Sequence, residues 1–197
     1  MNDASKALPA DTRIVITGGA CLVGQNLTAR LLERGCRNVH VLDKSGPNLA
    51  IARDIHPGAR FTDADLAETG PWQEALREAE IVVMLHAQIG GIQPEEFTRN
   101  NVVATRNVLA VVPEDAYLVH VSSSVVESDA NDDYSSSKAE QEKIVLASGL
   151  PCTVLRPTLM FGWFDRKHFG WLSHFMSRVP VFPIPGDGRY TRQPLYA

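Results

Sequence analysis

The chain has 197 residues, of which 44% are hydrophobic, 21% charged and 7% aromatic, a composition that can bury a core without disulfides or metals. Its net charge of −4 lacks the basic surplus that phosphate-backbone binding demands, so no nucleic-acid partner is expected. The cysteines, Cys21, Cys36 and Cys152, contain no Cys-x-x-Cys pair, which argues against a disulfide framework or a metal site and for a reducing, cytoplasmic setting.

Residues 1–11 are polar and read as a flexible tail, without the apolar stretch of a leader peptide. No run is long enough to span a membrane, so no membrane partner is expected. From Arg13 a strand-then-helix rhythm begins. Arg13–Thr17 is a short β-branched run that reads as a buried strand. Leu22–Arg34 follows with apolar residues at helical spacing and is ended by Gly35. Strands are then expected at Asn38–Asp43, Ala59–Thr62, Ile81–His86, Ala116–Ser122 and Cys152–Arg156. Helices are expected at Asn48–Ile55, Trp72–Glu78, Pro94–Val112 and Tyr134–Ser148. This alternation predicts an α/β fold with a doubly wound parallel sheet. After Pro157 aromatics, Pro and Gly become frequent. We therefore expect residues 12–156 to form a dinucleotide-binding domain of Rossmann type. Residues 157–197 would begin a small substrate region.

Thr17-Gly18-Gly19-Ala20-Cys21-Leu22-Val23-Gly24 lies between the first strand and the first helix, where such a fold holds pyrophosphate. Glycine permits close backbone approach, and the helix N-terminus offers free N–H groups and a positive dipole end. A tight turn with a helix start is the plain alternative. Asp43 ends the second strand about 20 residues on, the place of an acid that bonds the adenosine ribose. Its carboxylate would repel a 2′-phosphate, which favours NAD over NADP.

Tyr134 and Lys138 are four apart on one expected helix and share a face. A neighbouring ammonium lowers a phenol pKa from about 10, so the tyrosine could act as a base toward a hydroxyl. Two residues on a solvated helix face are the alternative. Ser122-Ser123-Ser124 closes the preceding strand and could supply a hydroxyl clamp or merely turn hydrogen bonds. Asn131, Asp132 and Asp133 read as helix-capping residues.

The glycine turn resembles the Thr-Gly-x-x-Gly-x-x-Gly fingerprint of the extended short-chain dehydrogenase/reductase family, the NAD-dependent epimerase/dehydratase group, with Cys21 in the central Gly place. Residues 121–128 resemble its Ser-Ser-x-x-Val-Tyr-Gly segment. Matching Val126 makes Ser123 the catalytic hydroxyl, with Ser124 a rival at the substrate. Leu85-His86-Ala87 is similar to the family's Leu-Ala-Ala turn, where His86 reads as a packed or solvated side chain. Asn101–Leu109 is similar to its Asn-Val-x-Gly-Thr-x-Asn-Leu-Leu helix, and Leu155-Arg156-Pro157 to its Leu-Arg-Pro segment.

The resemblance implies cofactor contacts from Gly18, Cys21, Leu22, Val23, Gly24, Asp43, Asp65, Leu66, His86, Ala87 and Lys138. It implies catalysis by Ser123, Tyr134 and Lys138, and a substrate diphosphate near Arg192. The implied activity is transient hydride transfer between NAD and a sugar nucleotide, as an epimerase, dehydratase or reductase. An NAD-binding regulatory or scaffold protein of the same fold is the alternative. A homodimer through the helices at 94–112 and 134–148 is implied, as is a shortened substrate region, because the sequence given ends at Ala197.

Overall fold

The computed structural model describes residues 8–129, 132–166, 169–183, 186–187, 189, 191 and 193–197. Six parallel strands form the main sheet: β1 (Ile14–Thr17), β2 (Val39–Asp43), β3 (Arg60–Asp63), β4 (Ile81–Met84), β5 (Tyr117–Val121) and β6 (Cys152–Leu155). Their order is β3-β2-β1-β4-β5-β6, the doubly wound arrangement expected from the alternating pattern. The order reverses between β1 and β4, whose register pairs Ile14 with Ile81 and Thr17 with Met84.

Strand alternation builds a core on each face. Val15, Leu42, Val82, Met84 and Leu118 face one cluster, with Leu76, Val108 and Val145 from helices. Ile14, Ile16, Val39, Val41 and Val83 face the other, with Leu31 of the first helix. Successive strand side chains point to opposite faces. A sheet clad on both sides therefore needs apolar residues at nearly every position.

The crossovers run through α1 (Leu22–Glu33), α2 (Gly46–Ile55) and α3 (Gln73–Arg77). The stretch expected as one helix over 94–112 is instead three segments. They are α4 (Pro94–Phe97), a π-helical turn at Thr98–Val103 and α5 (Ala104–Leu109). The wide turn carries Asn101, whose side chain is fully buried. Its Oδ1 accepts from Gln88 N at 2.6 Å, and its Nδ2 donates to Ser137 Oγ at 2.9 Å. These bonds supply a reason for a π-bulge, which periodicity alone cannot forecast. A short 3₁₀ turn (Ser124–Glu127) leads to α6 (Asp133–Leu146). Asp132 caps α6 reciprocally: it accepts from Ser135 N at 2.7 Å, and Ser135 Oγ accepts from Asp132 N at 3.1 Å. Asn131, read as a further capping residue, lies outside the described residues.

Beyond β6 none of the described residues adds a strand to the main sheet. β7 (Met160–Phe161) and β8 (Leu195–Tyr196) pair as a separate ribbon, and α7 (Phe169–Met176) lies between them in sequence. Asn26 of α1 donates to Trp163 O at 2.8 Å and ties this region to the main sheet's first crossover. The expected tail is pinned at its end, because Arg37 N donates to Ala10 O at 2.7 Å. Among the described residues no helix is long and apolar enough to cross a membrane.

Candidate cofactor and catalytic site

The glycine turn opens at the carboxyl end of β1, beside the point where strand order reverses. Gly18 has φ +67°, and a Cβ there would stand 2.5 Å from His86 Cα. A Cβ on Gly24 would stand 2.2 Å from Gly19 O. Both positions therefore exclude a side chain, the first for conformation and contact, the second for contact alone.

Cys21 is the N-cap of α1, with extended backbone, and its Sγ accepts from Gly24 N at 3.4 Å. The thiol thus takes up one of the helix's free donors. Burial pushes its pKa up, against the Gly24 N–H, and the Asp43 charge adds to the rise. Cys21 is consequently a neutral thiol at neutral pH. Asp43 accepts from Ala20 N at 3.0 Å and from Ser45 N at 2.9 Å, so the carboxylate is locked against the turn.

A cavity of about 180 Å³ lies over this turn. Of the residues named from the sequence, Gly18, Cys21, Asp43, Asp65, Leu66, His86 and Ala87 line it. Leu22, Val23, Gly24 and Lys138 do not, and Val23 instead lines a second cleft of about 600 Å³ against Leu155, Trp163 and Tyr196. The cavity also recruits Gln88, the first residue of the Gly-rich stretch 88–92 that could be read from the sequence as approaching substrate or cofactor, and Asn48 and Asn100, which the sequence reading did not assign. Asp65 accepts from Ala67 N at 3.1 Å and from Arg99 Nη1 at 2.8 Å. Burial raises the Asp65 pKa, but the Arg99 bond, the Ala67 N–H and the Lys44 charge together hold it below the usual range.

At the end of β5, Ser123 caps the 3₁₀ turn, its Oγ accepting from Val125 N at 3.3 Å. Its hydroxyl lies near enough to the Tyr134 phenol to oppose the rise in the phenol's pKa. The Ser124 N–H donates to Pro157 O at 3.0 Å. Lys138 lies one turn further along α6 and is 1% exposed. Its Nζ donates to Gln141 Oε1 at 2.6 Å and to Val121 O at 3.0 Å.

The expected activation of the phenol by this ammonium is not what the structure displays. Burial raises the Tyr134 pKa, Ser123 opposes the rise, and Asp132 adds to it. Two of the three donors of the ammonium go to Gln141 and the β5 carbonyl. Burial pushes the Lys138 pKa down to about 8, against the Glu142 charge.

His86 is packed and also lines the cavity. It is 8% exposed, and burial, with the Lys138 and His120 charges, pushes its pKa down to about 3. Glu142 is paired with Arg156 of the Leu-Arg-Pro segment, whose Nε donates to Glu142 Oε2 at 3.1 Å. Arg192, assigned to a substrate diphosphate, lies outside the described residues. Among the described residues no group of three or more His, Cys, Asp or Glu could hold a metal.

The NAD dependent epimerase/dehydratase family matches residues 14–197. The low-salt glycan biosynthesis protein Agl12 of Haloferax volcanii is 27% identical, over 93% of this chain and 68% of its own length. The dTDP-L-rhamnose 4-epimerase of Burkholderia thailandensis is 30% identical, over 61% of this chain and 36% of its own. The Bordetella bronchiseptica enzyme WbmF, crystallised with NAD+, superposes with a TM-score of 0.78 at 23% identity, covering 95% of this chain and 66% of that one. Crystals of WbmF with NAD+ and UDP are likewise similar, at 25% identity and a TM-score of 0.68 over 78% of this chain and 50% of that one. The chain thus spans between about a third and two thirds of the length of these relatives. The match over nearly all of its length, with the sheet order and the glycine turn at the switch point, makes this chain a member of the NAD dependent epimerase/dehydratase family.

Proposed function

We propose that the chain binds NAD in the cavity at the switch point and supports transient oxidation of a sugar nucleotide by hydride transfer. The observation that carries this reading is Tyr134 and Lys138 one turn apart on α6, with Ser123 near enough to the phenol to act on its pKa. His86 and Ala87 line the cavity, and His86 joins the buried bonds that reach Lys138 through Gln141. NAD, when bound, supplies a hydride acceptor. Tyr134 would take the proton of the sugar hydroxyl, and Ser123 would hold that oxygen.

A phenol kept protonated by burial is a poor base, so the Lys138 ammonium must reach it when the site fills. Catalytic hydrogen bonds commonly tighten only then. Asp43 would accept the adenosine ribose hydroxyls, and its charge disfavours a 2′-phosphate, which supports NAD over NADP. The UDP of one relative and the dTDP-sugar of another support a nucleotide-sugar substrate. Epimerase fits this set better than dehydratase, because Ser124-Val125 follow Ser123 where a dehydratase would usually carry an Asp-Glu pair.

A second reading is an NAD-binding protein without turnover. The observation favouring it is Cys21, whose sulfur occupies the Gly24 N–H that a pyrophosphate would use. Titration with NADH, then an assay for hydride transfer from UDP- and dTDP-sugars, separates the readings. Binding with turnover that Tyr134→Phe abolishes supports the first. Binding without turnover supports the second, and no binding sinks both. A homodimer would use the outer faces of α5 and α6, where Arg106 pairs with Glu140. Sedimentation velocity measures it.

A further inference from the structure

A chain of buried hydrogen bonds runs from Lys138 across the sheet, and its polarity is fixed where it passes through Lys138 and Gln141. The Lys138 ammonium can only donate, so the Gln141 atom 2.6 Å from it is the amide oxygen. The Gln141 NH₂ then points the other way, donating to Thr105 Oγ1 at 2.8 Å and to His86 O at 3.4 Å, with His86 Nε2 3.3 Å away. His86 Nε2 also lies 3.0 Å from Thr105 Oγ1, and Nδ1 lies 2.8 Å from Thr17 Oγ1; a threonine hydroxyl can donate or accept, so these bonds suit either neutral tautomer. Thr17 Oγ1 also lies 3.5 Å from Val83 O. Thr17, Thr105 and Gln141 are wholly buried.

Burial disfavours a charged ring, so His86 is neutral here. With His86 and Thr105 in place, Gln141 cannot flip its amide, and its oxygen is held toward the ammonium. Two of the three Lys138 donors are thereby committed, to Gln141 and to Val121 O. The remaining charged or titratable groups that bear on Lys138 are His86 from the end of β4, His120 from β5 and, on its own helix, Glu142, backed by Arg156.

We propose that Gln141, oriented by His86 and Thr105, is a positioning residue that fixes where the Lys138 ammonium sits and how firmly it holds its proton. Its consequence for cofactor grip rests on the reading of the site given above.

Lysine labelled at Cε makes the assignment testable, since the chain has five lysines and Lys138→Met identifies the signal. Lys138 of the parent titrates near 8. Gln141→Leu removes the acceptor and moves that titration down by about one pH unit, whereas Gln141→Glu supplies a charge and moves it up by at least as much. Thr105→Val, nearly isosteric, frees the amide to flip and shifts it down as well; it serves if Gln141→Leu fails to fold. A Lys138 titration unchanged in Gln141→Glu and Thr105→Val overturns the proposal.

NADH titration across pH tests the consequence separately. In the parent, affinity falls as pH rises past the Lys138 titration, and in Gln141→Leu that fall moves with it. If Lys138→Met leaves NADH affinity and its pH dependence untouched, the cofactor role of Lys138 fails, while the NMR result still decides the role of Gln141.

Discussion

Cys21 is where this chain departs most from its family's fingerprint, and the structure turns that departure into a prediction. Its sulfur accepts the Gly24 N–H, a donor that otherwise points at the pyrophosphate position of such a turn. Cys21→Gly releases the donor and removes a Cβ. A hydrogen bond of about 1 kcal/mol corresponds to roughly a fivefold change in affinity. We expect NAD affinity to rise by about that factor in calorimetric titration; an unchanged affinity would show that the sulfur does not compete. Gly24→Ala probes the same turn in the opposite sense. Its Cβ would lie 2.2 Å from Gly19 O, and because that neighbour is backbone it has no side chain to swing aside. Thermal unfolding should register a loss of about 3 kcal/mol or more, and wild-type stability would contradict the packing described.

At the level of elements, α6 carries both the proposed chemistry and its support. Glu142 is one turn beyond Lys138, and its side chain is 8% exposed. Arg156→Ala leaves that carboxylate buried without its partner. Because the Arg156 side chain is 40% exposed and water can partly replace it, we expect a loss of about 2 kcal/mol rather than the full penalty of a buried pair. Urea unfolding measures it, and a change under about half of that would mean that Glu142 finds another partner.

The elements were also where the sequence spoke most and least. Strand and helix alternation, the parallel sheet and the place of Gly18, Asp43, Ser123 and Tyr134 were legible because each depends on short-range pattern. The π-turn at Thr98–Val103 was not, since its cause is Asn101 reaching Gln88 and Ser137, contacts set by tertiary approach. The link from Gln141 to His86 was hidden for the same reason, spanning 55 positions in sequence. The direction of the Tyr134 shift was misjudged because a spacing of four places two side chains on one face but does not say what else competes for the ammonium.

Among the described residues His86 and His120 are buried neutral histidines beneath the site, and His56, buried elsewhere, is also pushed down by burial, which gives the stability a pH dependence. His86 and His120 are each pushed down to about 3 by burial, with the Lys138 charge adding, and for His120 the Glu142 charge opposing. Unfolded, they take up protons at their ordinary value near 6.5. Between these values the unfolded chain binds more protons, so stability is full above about pH 6.5 and falls as pH drops toward 3. The slope is at most about 1.4 kcal/mol per pH unit for each ring. Urea midpoints from pH 7 to about 5 should therefore fall, and His86→Gln, which can still serve Thr105 and Gln141, should flatten that fall. A midpoint independent of pH over this range would contradict the buried neutral rings.

One sheet carries the glycine turn, Asp43 and the Ser, Tyr, Lys set, and the proposed function requires a hydride to pass from a bound sugar to NAD+. The most direct measurement mixes the NAD+-loaded chain with UDP- and dTDP-sugars and follows the absorbance of NADH in a single turnover. The account predicts a rise with at least one of these sugars, slowed about a hundredfold or more in Tyr134→Phe while NAD+ binding is retained. NADH formation at the same rate in Tyr134→Phe, or no rise with any of them despite tight NAD+ binding, would contradict it.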